Sequence, residues 1–157
     1  MRRLCGFTLI EVLITAAIVG TLATIALPMA EITVRRTHET ELRRAVRDIR
    51  DALDAYKRAS DEGRIQRSPD QSGFPQSLAA LVDGVTDAKS PSGAKIYFLR
   101  RIPRDPFYSD TGVPAAQTWG SRSYDSPADA PKPGRDVFDV YSLSDQKGLN
   151  GVPYRQW

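Results

Sequence analysis

A single carboxylate stands at the start of a long apolar stretch of this sequence. The 19 residues from Val12 to Ala30 carry no charge, and Glu11 immediately precedes them. A carboxylate placed in lipid is costly and usually marks a function. An acid near the beginning of a helix is also favoured by the helix macrodipole. Glu11 is therefore the first candidate functional residue.

Other residue types that carry chemistry are scarce. The sequence holds one cysteine, Cys5, and one histidine, His38, so it offers neither an internal disulfide nor a zinc cluster of His and Cys. No nucleophile is paired with a base, and no Gly-rich phosphate loop is present. We therefore expect no enzymatic activity.

The charge of the chain gives no support for nucleic-acid binding. Without Arg2 and Arg3, which precede the apolar run, the 22 basic residues become 20 against 19 acidic ones, a net charge of +1. Arg100, Arg101 and Arg104 form a basic cluster beside aromatic residues. We interpret them as solvated loop arginines or as contacts between subunits, in preference to a nucleic-acid surface.

The apolar run is long enough to cross a membrane, which takes about 20 residues as a helix. Arg2 and Arg3 before it predict a cytoplasmic N-terminus, with the chain after Ala30 on the other side. A cleaved secretory signal peptide and a plain signal anchor are the alternatives. The length and the poor cleavage site oppose the first, and Glu11 opposes the second.

A long amphipathic helix is predicted to follow and to end near Ser60–Gly63, where glycine favours termination. Pro28 lies within the helical pattern and is expected to kink it, because proline removes a backbone hydrogen bond. Opposite charges four residues apart, such as Glu39–Arg43 and Arg50–Asp54, mark the polar faces. The apolar stripe consists of Leu42, Ala45, Val46, Ile49, Ala52, Leu53 and Tyr56.

The C-terminal half predicts a small mixed domain. Phe74 to Gly84 reads as a short helix, and Ile96–Leu99 is a candidate strand. Residues 119–126 and 136–144 look like two further short strands, followed by a turn-rich tail. The predicted fold class is α+β, with a long N-terminal helix packed on a small antiparallel sheet.

The stretch GFTLIEVL, residues 6–13, resembles the processing signal of type IV pilins and type II secretion pseudopilins. The resemblance implies that a prepilin peptidase cuts between Gly6 and Phe7 and methylates the new amino group of Phe7. Glycine suits such a cut because it has no Cβ. Phe7 and Glu11 share a helix face. By resemblance, Glu11 pairs with the Phe7 amine of a neighbouring protomer, and Pro28 matches a proline common in the family.

The C-terminal half resembles the G-type major pseudopilins of type II secretion, through the segments FPQSLAALV, IPRDPF, WGSRSYDS and FDVYSLSD. That family usually holds a calcium ion in its C-terminal loop. Leu143 and Asp145 match the expected carbonyl and carboxylate ligands, and Asn150 is a weaker amide candidate. The later aspartate of the loop has no counterpart and Lys147 lies inside it, so a hydrogen-bonded turn is favoured over calcium.

These resemblances imply a structural subunit of a periplasmic fibre that supports protein export. The expected partners are further copies of the chain, minor pseudopilins, the peptidase, an inner-membrane assembly platform and a cytoplasmic ATPase. The alternative is a major or minor type IV pilus subunit, acting in adhesion, motility or DNA uptake. The expected parts are a leader (1–6), a membrane and filament-core helix (7–30), its amphipathic second half (31–62) and a periplasmic domain (63–157).

Overall fold

The computed structural model describes residues 8–157, without the side chains of residues 25–28. The chain divides after Thr37 into two units. The first helix, α1, runs from Leu9 to Asp61 and is followed by a one-turn helix, α2, and four short strands. The remaining elements are α2 (Ala80–Asp83), β1 (Val85–Thr86), β2 (Lys95–Ile96), β3 (Trp119–Arg122), β4 (Asp139–Ser142) and 3₁₀ turns at Ala115–Thr118 and Tyr154–Gln156.

In the first unit, α1 presents large apolar side chains on its surface. Leu9 is 81% exposed and Val19 64%, and Ile14 and Leu22 are exposed as well. Such a helix is covered by lipid or by other helices, since water alone is a poor environment for apolar residues on every face. Polar hydroxyls in this stretch are satisfied within the helix, as in Thr21, which donates to the carbonyl of Ala17 at 2.8 Å.

The second unit, His38–Trp157, is organised around the predicted stripe of α1. Leu42, Ile49 and Leu53 are at most 1% exposed, and they pack with side chains from α2, β3, β4 and the C-terminal 3₁₀ turn. The prediction of an amphipathic helix with this stripe is confirmed. The other members of the core are Ala45, Val46, Ala52, Leu78, Leu81, Trp119, Val137, Val140 and Tyr154.

Two antiparallel pairs of strands complete the domain. β1 pairs with β2 through Val85↔Ile96, and β3 pairs with β4 from Trp119↔Ser142 to Arg122↔Asp139. Val140 and Ser142 of β4 point inward, at 0% and 1% exposure, as expected for alternate residues of a strand. The predicted α+β class with small antiparallel sheets is confirmed.

The helix predicted over Phe74–Gly84 is shorter than expected, since α2 covers only Ala80–Asp83. The reason is a tertiary hydrogen bond: the carbonyl of Pro75 accepts the N–H of Val137 at 2.8 Å, so it is committed to another segment. The predicted stop at Gly84 is right. Its φ of 74° is easy for glycine, and a Cβ there would lie 2.7 Å from the Tyr97 ring.

The strand predicted over Ile96–Leu99 ends earlier, because β2 covers Lys95–Ile96. The N–H groups of Phe98 and Leu99 both donate to the carbonyl of Leu81, at 3.0 and 2.9 Å. The chain therefore leaves the strand to close against the end of α2. Its partner β1 was missed by the sequence patterns, which give no period-2 signal for two residues.

Arg50 links α1 to the second sheet. It was expected to pair with Asp54, but its Nε donates to Asp139 Oδ1 at 2.7 Å and its guanidinium also donates to the carbonyl of Trp157 at 3.0 Å. Arg122 approaches the same carboxylate at 3.5 Å. A half-buried acceptor that takes a forked guanidinium outcompetes an exposed acid one turn away.

Asp136 ties together two loops of the second unit. Its carboxylate accepts hydrogen bonds from the hydroxyls of Ser72 and Ser123 and from the N–H of Tyr124. Burial acts to raise the pKa of Asp136, but these three hydrogen bonds outweigh it and hold the pKa below its ordinary value. The ionised form is therefore the one that folding favours.

We expect Leu42→Ala to destabilise the second unit by about 2–5 kcal/mol, because it removes fully buried methyl groups and leaves a cavity. Leu143→Ala is the matched control, since Leu143 is 45% exposed and loses the same atoms. Urea unfolding of the full chain in detergent, followed by near-ultraviolet circular dichroism, measures both. Equal effects of the two substitutions would contradict this core.

We expect Asp136→Asn to destabilise the domain at neutral pH and to lose that effect in acid. The unfolded pKa of aspartate is about 3.9 and the folded pKa lies below it, so the contribution is present above about pH 4 and disappears as the pH falls through the folded value. Urea midpoints of wild type and variant across pH measure the difference. A difference that grows in acid would refute the assignment. Asp125→Asn, at a carboxylate that is 73% exposed and lies 3.5 Å from Arg135, is the control for loss of a surface charge.

Candidate assembly site

The beginning of α1 is built by Thr8 and Glu11. The N–H of Glu11 donates to Thr8 Oγ1 at 3.4 Å and to the carbonyl of Thr8 at 3.1 Å, and the N–H of Val12 donates to the same carbonyl. Threonine followed three residues later by glutamate is the spacing of a capping box. This role of Thr8 was not predicted from the sequence, although residues 8–11, TLIE, carry the motif.

The side chain of Glu11 is exposed, and no ion pair joins it to any of residues 8–157. The two other residues expected to act with it, Gly6 and Phe7, lie outside the described residues. The cut after Gly6 and the pairing of Glu11 with a Phe7 amine therefore stay predictions. The geometry places Glu11 in the first turn of α1, where the partial positive charge of the helix favours a carboxylate.

The helix that carries Glu11 contains a window long and apolar enough to cross a membrane. None of that window is buried within the chain. Length and composition alone support a membrane span here, and the same criteria are met by some signal sequences. Pro28 lies inside α1, but its side chain is outside the described residues, so the expected kink stays a prediction.

The three residues expected to bind calcium are all exposed. The side-chain oxygen of Asn150 already accepts the N–H of Val152 at 3.0 Å, and Asp145 is the only carboxylate of the three. Calcium takes six to eight oxygens, several of them from carboxylates. Among residues 8–157, no three His, Cys, Asp or Glu side chains come together as metal ligands would. The donor set at Leu143, Asp145 and Asn150 thus fits calcium poorly.

Hydrogen bonds within the backbone close the stretch that follows Asp145 and contains Asn150. The N–H of Gly148 donates to the carbonyl of Val152 at 2.8 Å, the N–H of Gly151 to the carbonyl of Gly148 at 2.9 Å, and the N–H of Tyr154 to the carbonyl of Gln146 at 3.1 Å. Gly151 has a φ of 80°, which the turn requires. The loop spanning residues 146–154, called the C-terminal loop below, is a hydrogen-bonded turn of the kind that the sequence favoured.

The arginine cluster is only partly available for binding. Arg104 donates to the main-chain carbonyls of Asp110 and Val113, so it holds a loop of its own domain. Arg100 and Arg101 are exposed and line a shallow groove beside Arg44 and Asp48 of α1. Glu41 and Asp48 line the same groove and lower its positive charge.

Similarity to known proteins decides among the families that share such a helix. Residues 1–27 match the family model described as the prokaryotic N-terminal methylation motif. The chain is 31% identical over 116 residues to the type II secretion system core protein G of Vibrio cholerae serotype O1, covering 70% of each chain. It is 33% identical over 110 residues to the core protein G of Aeromonas hydrophila, covering 68% of this chain and 69% of the relative.

The chain belongs to the type II secretion system core protein G family. The predicted resemblance to pseudopilins of type II secretion is thereby confirmed. No solved structure matches the chain significantly. In this member of the core protein G family, the methylation motif covers Gly6, Phe7 and Glu11, and Thr8 stands between them with a capping role.

One further residue of this core protein G chain was misjudged from the sequence. Glu39 was expected on a polar face, paired with Arg43, and that contact is present but long, at 3.9 Å. Glu39 is instead 5% exposed, and its carboxylate accepts hydrogen bonds from the C-terminal loop. No local pattern announces this contact, because its partners lie 110 and 115 residues further along the chain.

Proposed function

We propose that this chain is a structural subunit of a type II secretion pseudopilus, a periplasmic fibre that supports protein export. The observation that carries the proposal is the identity to two core proteins G over about two thirds of each chain. The exposed apolar surface of α1 in the first unit supports it, because such a surface needs lipid before assembly and neighbouring helices after it. No observation favours a type IV pilus.

Maturation would create a positive charge that can pair with the carboxylate of Glu11. A prepilin peptidase would remove residues 1–6 on the cytoplasmic side and methylate the amine of Phe7, which remains a cation. A carboxylate in lipid is costly, whereas a paired one is tolerated and fixes the register between helices. Glu11 of one subunit would then pair with the Phe7 amine of its neighbour as the helices enter the fibre.

The parts of the chain would divide this work. Residues 7–30 would anchor the subunit in the bacterial inner membrane and later form the core of the fibre, with a bend at Pro28. Residues 31–62 would join that core to a periplasmic domain, residues 63–157. The chain would act by assembly and not by catalysis, with further copies of itself, minor pseudopilins, an inner-membrane platform and a cytoplasmic ATPase as partners.

We expect Gly6→Ala or Gly6→Val to block maturation, because a Cβ obstructs the close backbone approach that cleavage after this residue needs. The measurement is the shift of the full chain to a shorter form on a gel, with mass spectrometry of the new N-terminus. Cys5→Ser, one residue earlier, is the matched control and is expected to mature normally. Normal maturation of both Gly6 variants would count against the proposed processing site.

We expect Glu11→Val to leave processing intact and to lower the yield of fibres at least about tenfold, since losing one member of a buried ion pair costs about 3–5 kcal/mol. Cells are opened gently, assembled fibres are separated from dispersed subunits by centrifugation, and the fibres are quantified beside the total mature subunit. Glu31→Val, at an exposed acid of the same helix unit, is the control for a simple loss of charge.

The capping role of Thr8 offers a competing explanation for any effect at Glu11. Thr8→Val keeps the shape of the side chain and removes the hydroxyl that accepts the Glu11 N–H. If Glu11 acts through pairing, Thr8→Val assembles far better than Glu11→Val. Equal losses in the two variants would assign the effect to the helix cap and would overturn the pairing role.

A further inference from the structure

The C-terminal loop is attached to α1 by one buried carboxylate. Glu39 Oε1 accepts the N–H of Leu149 at 2.6 Å and the hydroxyl of Tyr154 at 3.0 Å. Both donors belong to the loop, and Tyr154 is 1% exposed. One oxygen of α1 thus contacts the tip of the loop and its C-terminal end at once.

The surroundings of Glu39 compensate for the burial of its carboxylate. A buried carboxylate is costly unless hydrogen bonds satisfy it, and bonds to an ionised acceptor are the strong ones. Arg43, one turn along α1, lies 3.9 Å from Glu39 Oε2 and supplies a compensating charge. The guanidinium of Arg43 also stands 4.2 Å from the centre of the Trp157 ring, so the same arginine covers the end of the chain.

Aromatic packing fixes the position of Tyr154, whose hydroxyl donates to Glu39. The ring of Tyr154 stacks on Phe107 with centroids 4.1 Å apart and lies nearly perpendicular to the Trp157 ring, with centroids 5.0 Å apart. This packing holds the hydroxyl of Tyr154 at one position, where it donates to the carboxylate of Glu39. Gly148 permits this packing, since a Cβ there would lie 2.4 Å from the Trp157 ring.

Several oxygen atoms of the C-terminal loop that could bind a cation already accept hydrogen bonds. Its main-chain carbonyls at Gln146, Gly148 and Val152 each accept a backbone N–H, and the amide oxygen of Asn150 accepts another. Glu39 is satisfied by donors, which a cation would have to displace, and Lys147 adds a positive charge to the loop. In place of several carboxylates around a dication, the chain brings one carboxylate to two hydrogen-bond donors.

We propose that Glu39 is the positioning residue of the C-terminal loop and that this loop closes on α1 without calcium. The carboxylate closes the loop, which is the role that the family resemblance assigns to a metal ion. The proposal concerns the unassembled subunit, so it stands or falls independently of fibre formation.

The test uses the full chain in detergent and follows amide hydrogen exchange at Leu149, with Val140 as the core reference. In the wild type, excess EGTA and millimolar calcium are expected to give the same exchange at Leu149 and the same melting temperature. Glu39→Gln is expected to speed exchange at Leu149 at least about tenfold relative to Val140, and calcium is not expected to restore it. Glu41→Gln, at an exposed acid two residues away, is the control.

Two further variants keep the proposal testable where Glu39→Gln fails to fold. Tyr154→Phe removes one donor and is expected to speed exchange at Leu149 less than Glu39→Gln does. Asp145→Asn removes the carboxylate of the expected calcium site and is expected to change nothing. Faster exchange or a lower melting temperature in EGTA, an effect of Asp145→Asn that calcium modulates, or unchanged exchange in both Glu39→Gln and Tyr154→Phe would each overturn the proposal.

Discussion

The second unit depends on the burial of one stripe of α1. Its sheets have two strands each, with two residues per strand in one sheet and four in the other. A two-stranded sheet is marginal in water unless it packs against something else. The stripe centred on Leu42, Ile49 and Leu53 provides that support, and α2, β3 and β4 each place a buried residue against it. The rest of the second unit therefore packs on α1 and depends on it for stability.

Polar contacts from α1 then fix the position of β4 and of the C-terminal loop. Apolar packing is not directional, so it leaves the position of the strands loosely specified. Arg50 reaches Asp139 at the start of β4, and Glu39, about three turns earlier, reaches the C-terminal loop. Arg50 binds at the beginning of the segment from β4 to Tyr154, and Glu39 binds near its end. The segment from β4 to Tyr154 is thereby held at two points.

The sequence patterns predicted those parts of the fold that follow from local periodicity. The stripe of α1, its end near Gly63 and the stop at Gly84 depend on neighbouring residues, and all are present. The length of α2, the early end of β2 and the partners of Arg50 and Glu39 depend on residues 17 to 115 positions away. In the candidate site, Thr8 was missed although its motif is local, while Glu39 offered no local motif. Distant hydrogen bonds decide such details, and periodicity does not report them.

Glu11 and Glu39 lie on the same helix and have opposite surroundings. Each stands four residues from the residue that the sequence pairs with it, Phe7 for Glu11 and Arg43 for Glu39. Glu39 is buried, with two donors and an arginine around its carboxylate, so its function is complete within one chain. Glu11 is exposed among apolar side chains that are themselves uncovered, and no described residue is paired with its charge. A carboxylate in such a place is tolerated only while water or a cation from outside the described residues accompanies it. When lipid or neighbouring helices displace the water, the carboxylate needs such a cation beside it, which residues 1–7 or, as proposed above, another copy of the chain would supply.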